Sequence, residues 1–137
     1  YSDGEWIDSL YADGGPSSSQ TSGYIRMEGK EVFKHAVKNL TTSVMDTLLI
    51  NKLKISDIDW MVPHQANKRI LDSTVKKLGF PSDKVIVTVH KHANTSAASI
   101  PLAMVSGVND GRIKEGDLII MEAMGAGFTW ASALIRF

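Results

Sequence analysis

Three short stretches gather the residues best suited to chemistry: Val62-Pro63-His64-Gln65-Ala66-Asn67, His90-Lys91-His92-Ala93-Asn94-Thr95-Ser96 and Glu122-Ala123-Met124-Gly125-Ala126-Gly127-Phe128. Each follows a run with strand character, and in α/β sheets the carboxyl ends of strands are where sites form. A neutral imidazole can donate one hydrogen bond and an asparagine amide two. Both can point at an oxyanion or enolate, and a backbone N–H in a glycine-flanked loop can serve a second oxyanion. Neither a carboxylate pair nor a phosphate-cradling loop of the P-loop type is present, which favours carbonyl chemistry over glycoside hydrolysis or phosphoryl transfer. Taken singly, each piece has a plainer reading. His64 can be a capping residue, Asn94 a helix cap, and Gly125-Ala126-Gly127 a tight turn. His90 and His92 share strand parity, but two nitrogens without a third ligand make a weak metal site. The coincidence at three strand ends is what favours a site.

The elements that must position these residues follow from periodicity. Residues 1–28 read as an extended, irregular surface flap, with a breaker cluster at Asp13-Gly14-Gly15-Pro16, a serine loop and a short strand at 24–27. From Glu31 the apolar residues Phe33, Val37, Leu40, Val44 and Leu48 step by four and three, which predicts an amphipathic helix of about twenty residues. A buried strand is expected at 58–62, stopped by Pro63, then a helix over 66–78 that ends at Gly79. Val85-Ile86-Val87-Thr88-Val89 is β-branched almost throughout and predicts another strand. A third helix is expected over 96–108, bent near its start by Pro101. Strands at 118–121 and 128–137, joined by a short loop, should pair antiparallel. This alternation predicts an α/β fold: a mixed, mostly parallel sheet with helices on its faces.

Composition bounds the function. Lys plus Arg and Asp plus Glu both total 15, giving zero formal net charge, which argues against a nucleic-acid binder. No apolar run reaches the ~20 residues of a membrane span, and no signal peptide is expected at the start. There is no cysteine, so this chain itself supplies neither a disulfide, a thiolate ligand nor a cysteine nucleophile. The opening Tyr1-Ser2-Asp3, without Met, suggests a piece of a longer protein.

The stretch from Gly29 to Phe137 resembles the C-terminal half of the β-ketoacyl-acyl-carrier-protein synthase III family, the initiating condensing enzymes of type II fatty acid synthesis. The motifs that carry the resemblance are Val62-Pro63-His64-Gln65-Ala66-Asn67, Asn94-Thr95-Ser96-Ala97-Ala98-Ser99 and Gly125-Ala126-Gly127-Phe128-Thr129-Trp130. The resemblance implies one half of a thiolase-type fold, with 1–28 as a lead-in from a missing N-terminal half and 29–137 as the C-terminal domain. It implies that His64 and Asn94 belong to a Cys-His-Asn triad whose cysteine lies in the other half, and that the Ala126 N–H belongs to an oxyanion hole. Phe33, Ala66 and Asn67 match positions lining the pantetheine channel. Lys34, Arg69, Lys76 and Lys77 match a basic patch that would receive an acidic carrier protein. The implied partners are the N-terminal half, a second copy in a homodimer, acyl carrier protein and a CoA thioester, with no cofactor, metal, nucleic acid or membrane. The implied location is the cytoplasm. Ala93 and Ala126 stand where many members carry glycine, and Met124 where Phe is frequent. Another thiolase-fold synthase (polyketide starter or alkylquinolone type) and a non-catalytic carrier-protein-binding or dimerisation module are the alternatives.

Overall fold

The computed structural model describes residues 1–137. A 3-10 helix, Gly4–Ser9, leads into β1 (Leu10–Ala12), which pairs antiparallel with β2 (Ile25–Met27). The long helix α1 follows (Gly29–Ile50), then β3 (Trp60–Pro63), α2 (Lys68–Leu78), a one-turn helix α3 (Val89–His92), α4 (Ser99–Asn109), β4 (Leu118–Gly125) and β5 (Thr129–Arg136). The main sheet has the order β3-β4-β5, with β3–β4 parallel and β4–β5 antiparallel.

The central strand β4 explains its own sequence. Leu118, Ile119 and Ile120 are all buried, because a strand covered on both faces needs apolar side chains on both. Ile120 and Leu118 pack with Met61, Val44, Leu48, Val75 and Leu78, so α1 and α2 cover one face. Ile119 packs with Val62, Ala103 and Ile113, so α4 covers the other. The result is three layers, helix on sheet on helix. In α1 the buried residues Ala36, Leu40, Val44 and Leu48 recur every four positions, which is the stripe that faces the sheet. In α2 the Oδ1 of Asn67 accepts from the Ile70 N–H at 3.0 Å, and Gly79 closes the helix at φ 65°. A left-handed residue is needed there, and glycine takes that conformation at little cost.

Several expectations are corrected. The predicted strand at 85–89 shrinks to one parallel bridge, Met61 to Val85, with the Ile86 N–H donating to the Met61 carbonyl at 2.9 Å. The next amides do not continue the ladder, because the Thr88 and Val89 N–H groups donate to Oε1 of Gln65. The parallel part of the mixed sheet is therefore β3–β4 and this single bridge. The third helix begins as a 3-10 turn at Ser96–Ala98, and its α portion starts at Ser99. Pro101 falls in the first turn of α4, where a missing N–H breaks no helical bond, so no bend is required. Strand β4 runs on to Gly125, which pairs with Thr129. The turn is thereby confined to Ala126-Gly127-Phe128. The lead-in is more ordered than an irregular flap. Ser2 bridges Thr129, the Asp3 N–H donates to the Phe128 carbonyl at 2.7 Å, and Trp6 lies against the rings of His35 and Phe128. No helix is long and apolar enough to cross a membrane.

Candidate active site

The carboxyl ends of β3 and β4 lie side by side, because the two strands are parallel neighbours in register Pro63 to Glu122. The His64 N–H continues that ladder by donating to the Glu122 carbonyl at 2.8 Å. One residue further, Gln65 turns the chain inward. It is 1% exposed. Its Nε2 donates to the carbonyls of Pro63 (2.8 Å) and Ile86 (3.1 Å), and its Oε1 accepts from the N–H groups of Thr88 (2.7 Å) and Val89 (3.0 Å). The side chain thus occupies the place where a strand at 85–89 would have continued, and it joins the His64 turn to the segment leading to Asn94.

That segment is tightly constrained. Ala93 sits at φ 57°, ψ −163° and Ser96 at φ 52°, conformations costly for residues with a Cβ. Between them, Oδ1 of exposed Asn94 accepts from the Ser96 N–H at 3.0 Å. This assigns the amide's orientation and leaves Nδ2 free to donate. The segment returns to His64 through Ser99, whose Oγ lies 2.6 Å from His64 Nδ1 and accepts from the Gln65 N–H at 3.2 Å. Burial lowers the His64 pKa below its ordinary value, so the imidazole is neutral at physiological pH. His64 and the 94–99 segment are therefore brought together. With Nδ1 engaged, Nε2 is the ring nitrogen left for a ligand.

The Ala126-Gly127-Phe128 turn caps the same end of the sheet. Ala126 is exposed, and its carbonyl accepts from the Thr129 hydroxyl at 3.0 Å. Gly127 has φ 128°, and a Cβ there would come within 3.2 Å of the Thr129 nitrogen, so this position requires glycine. Phe128 is fully buried beneath the turn.

The remaining candidates divide into two groups. Phe33 and Ala66 pack with Met124 around Ala36, Leu40 and Ile70, and the Arg69 guanidinium lies 5.4 Å from the Phe33 ring centroid. Lys34, beside Phe33, is exposed and pairs with Glu31 at 3.6 Å. Asn67 is exposed and spends its Oδ1 on the α2 cap. Lys76 and Lys77 are exposed in the last turn of α2. Lys76 follows Arg69 by seven residues, about 10 Å along the helix on nearly the same face. His90 and His92 fall on α3 rather than on a strand, and residues two apart on a helix face different ways. Nowhere do three His, Asp or Glu side chains gather to hold a metal.

Two residues that support the site, and a buried acid beside it, are not evident from residue type alone. Gln65 and Ser99 act through partners distant in sequence; the Ser99–His64 contact spans 35 positions. Glu122 is 2% exposed, its Oε2 has no hydrogen-bond partner, and burial pushes its pKa up to about 8. The only sequence signal for it is an acidic residue inside an apolar strand.

Known proteins share this arrangement of chain. Residues 48–137 match the family model described as 3-oxoacyl-[acyl-carrier-protein (ACP)] synthase III C terminal. The chain is similar to β-ketoacyl-[acyl-carrier-protein] synthase III of Paramagnetospirillum magneticum, 64% identical over 136 residues, covering 99% of this chain and 42% of that protein. It is 59% identical to the synthase III of Bartonella bacilliformis over the same shares. Among solved structures it is similar to 3-oxoacyl-[acyl-carrier-protein] synthase III from Aquifex aeolicus, with a TM-score of 0.92, 40% identity, and coverage of 100% of this chain and 42% of that one. It is also similar to the priming β-ketosynthase from the R1128 polyketide pathway, with a TM-score of 0.92, 31% identity and coverage of 100% and 43%. The chain thus spans about two-fifths of the length of these relatives. A match over most of its residues and a shared thiolase-like half-fold lead to one conclusion: the chain belongs to the 3-oxoacyl-[acyl-carrier-protein] synthase III C-terminal family.

Proposed function

We propose that this chain is the C-terminal part of an initiating condensing enzyme and supplies the groups that act on the malonyl thioester. The observation that carries this reading is the pair of assigned donors. The neutral His64 ring has Nδ1 engaged by Ser99, and Asn94 has Oδ1 engaged by Ser96, which leaves Nε2 and Nδ2 unengaged; both suit donation to a carbonyl oxygen. In this reading, as the family resemblance implies, the nucleophile is a cysteine in the remainder of the longer polypeptide; this chain itself has none. That cysteine takes an acyl group, most simply acetyl, from CoA. Malonyl-acyl carrier protein then enters, and carbon dioxide leaves. The electron pair of the broken C–C bond forms an enolate whose oxygen is held by His64 and Asn94. The enolate carbon attacks the acyl-cysteine, whose oxygen is held in part by the Ala126 N–H, and the cysteine thiolate departs, leaving 3-oxoacyl-carrier protein. Each well-placed donor of this kind contributes about 2.7–4 kcal/mol to the transition state.

Phe33, Ala66 and Asn67 line the approach for the pantetheine arm. Lys34, Arg69, Lys76 and Lys77 attract the acidic carrier protein although the chain is neutral overall. The enzyme is a cytoplasmic homodimer and needs no cofactor. A second reading, a starter synthase for polyketides, is favoured by the 31% identity to a priming β-ketosynthase. The test is the full-length protein assayed with acetyl-CoA and malonyl-acyl carrier protein. Acetoacetyl-carrier protein is the expected product. Turnover with malonyl-carrier protein only when a longer or aromatic starter is supplied would favour the second reading, and no condensation with any starter would overturn both.

A further inference from the structure

Resting on the proposed role of His64, we infer that Ser99 is a positioning residue whose hydroxyl donates to Nδ1 of His64 and so holds the ring proton on Nε2. The two atoms are 2.6 Å apart, and Ser99 is 1% exposed. A serine hydroxyl carries one proton and can accept two. One acceptor position on Ser99 Oγ is already taken by the Gln65 N–H at 3.2 Å. The hydroxyl proton must then find an acceptor, and His64 Nδ1 is the only partner in the chain placed to take it. Were the ring proton on Nδ1 instead, Oγ would accept twice and its own proton would be buried without a partner, an arrangement that folded proteins avoid.

The consequence is chemical. A ring with its proton on Nε2 presents a donor to the thioester oxygen, whereas the other tautomer presents a lone pair and repels it. Ser99 opens α4, so the tautomer is set by a rigid element rather than by the loop bearing Asn94. The lowered pKa of His64 agrees with a ring that is not protonated at both nitrogens. Gln65 completes the arrangement: its backbone N–H orients the hydroxyl, while its side chain anchors the turn.

The test is NMR of the His64 ring nitrogens in nitrogen-labelled full-length enzyme without substrate, beside steady-state kinetics. In the wild type, Nε2 should be protonated and Nδ1 should show the signature of a hydrogen-bonded acceptor. Ser99→Ala should raise the population protonated at Nδ1 and lower kcat by about tenfold or more with KM little changed. Ser99→Thr, which keeps the hydroxyl, should retain the Nε2 proton and recover most of kcat. A wild-type ring protonated at Nδ1, or an unchanged tautomer in Ser99→Ala, would overturn the inference even if condensation is intact. An enzyme with the predicted tautomer but no condensation would instead overturn the proposed function and leave the hydrogen-bond assignment standing.

Discussion

Replacing Gln65 by Met in the full-length enzyme keeps the length of the side chain and removes every polar atom. Four hydrogen bonds disappear, two donated to the Pro63 and Ile86 carbonyls and two accepted from the Thr88 and Val89 N–H groups. The site is 1% exposed, so water does not readily replace them. A net value near 1 kcal/mol per bond, with a larger penalty for each N–H left buried and unpaired, is only partly offset by burying the thioether. The expected loss is about 3–5 kcal/mol, a large share of a typical domain's stability of about 5–15 kcal/mol. Urea unfolding should show the midpoint falling with little change in slope. Hydrogen exchange adds a local readout: the Thr88 and Val89 amides should be protected in the wild type and exchange rapidly in the variant. A loss below about 1 kcal/mol, the scale of an ordinary surface substitution, with both amides still protected would refute the idea that Gln65 joins the two halves of the site.

Two further changes probe the same neighbourhood. The Glu122 carboxyl is raised from near 4.5 to about 8 by burial, so the folded state holds a proton that the unfolded state has released. Its contribution to stability is full below about pH 4.5 and is lost as pH rises to about 8, at up to about 1.4 kcal/mol per pH unit. Glu122→Gln should flatten that part of the pH–stability curve, and equal slopes in variant and wild type would count against the burial argument. Ala93→Gly should raise Tm, because relief of about 1–3 kcal/mol of strain at φ 57° exceeds the entropic cost of glycine, about 0.5–1 kcal/mol; a lower Tm would show that the conformation is not strained.

The long-period elements were legible from residue order alone. Leu40, Val44 and Leu48 mark one face of α1, and Gly79 marks the end of α2, because helical burial depends on neighbours three and four positions away. The strand ends bearing His64 and the glycine turn were legible for a similar reason: a switch from apolar to polar types is local. Asn94 was singled out by the same switch, but it follows the one-turn helix α3 and not a strand. The β-branched run 85–89 misled, because β-propensity reports fit to a pleated surface, whereas a side chain from position 65 claims the amides of Thr88 and Val89. The docking of the first residues on β5 was not legible either, since Ser2 and Thr129 pair across almost the whole chain. Ser99 appeared only as part of a motif; its partner, Nδ1 of His64, is visible only once α4 is set against the end of β3.

The proposed function puts the groups that stabilise the enolate in this chain and acyl transfer to the nucleophile elsewhere in the longer polypeptide. The most direct measurement separates the two half-reactions in full-length enzyme bearing Asn94→Ala. Labelled acetyl-CoA should still form the acyl-enzyme at close to the wild-type rate. Release of carbon dioxide from carboxyl-labelled malonyl-carrier protein should fall by about a hundredfold or more, the loss expected for one oxyanion donor. Carbon dioxide release at the wild-type rate, with or without a change in acylation, would rule out Asn94 as an enolate donor.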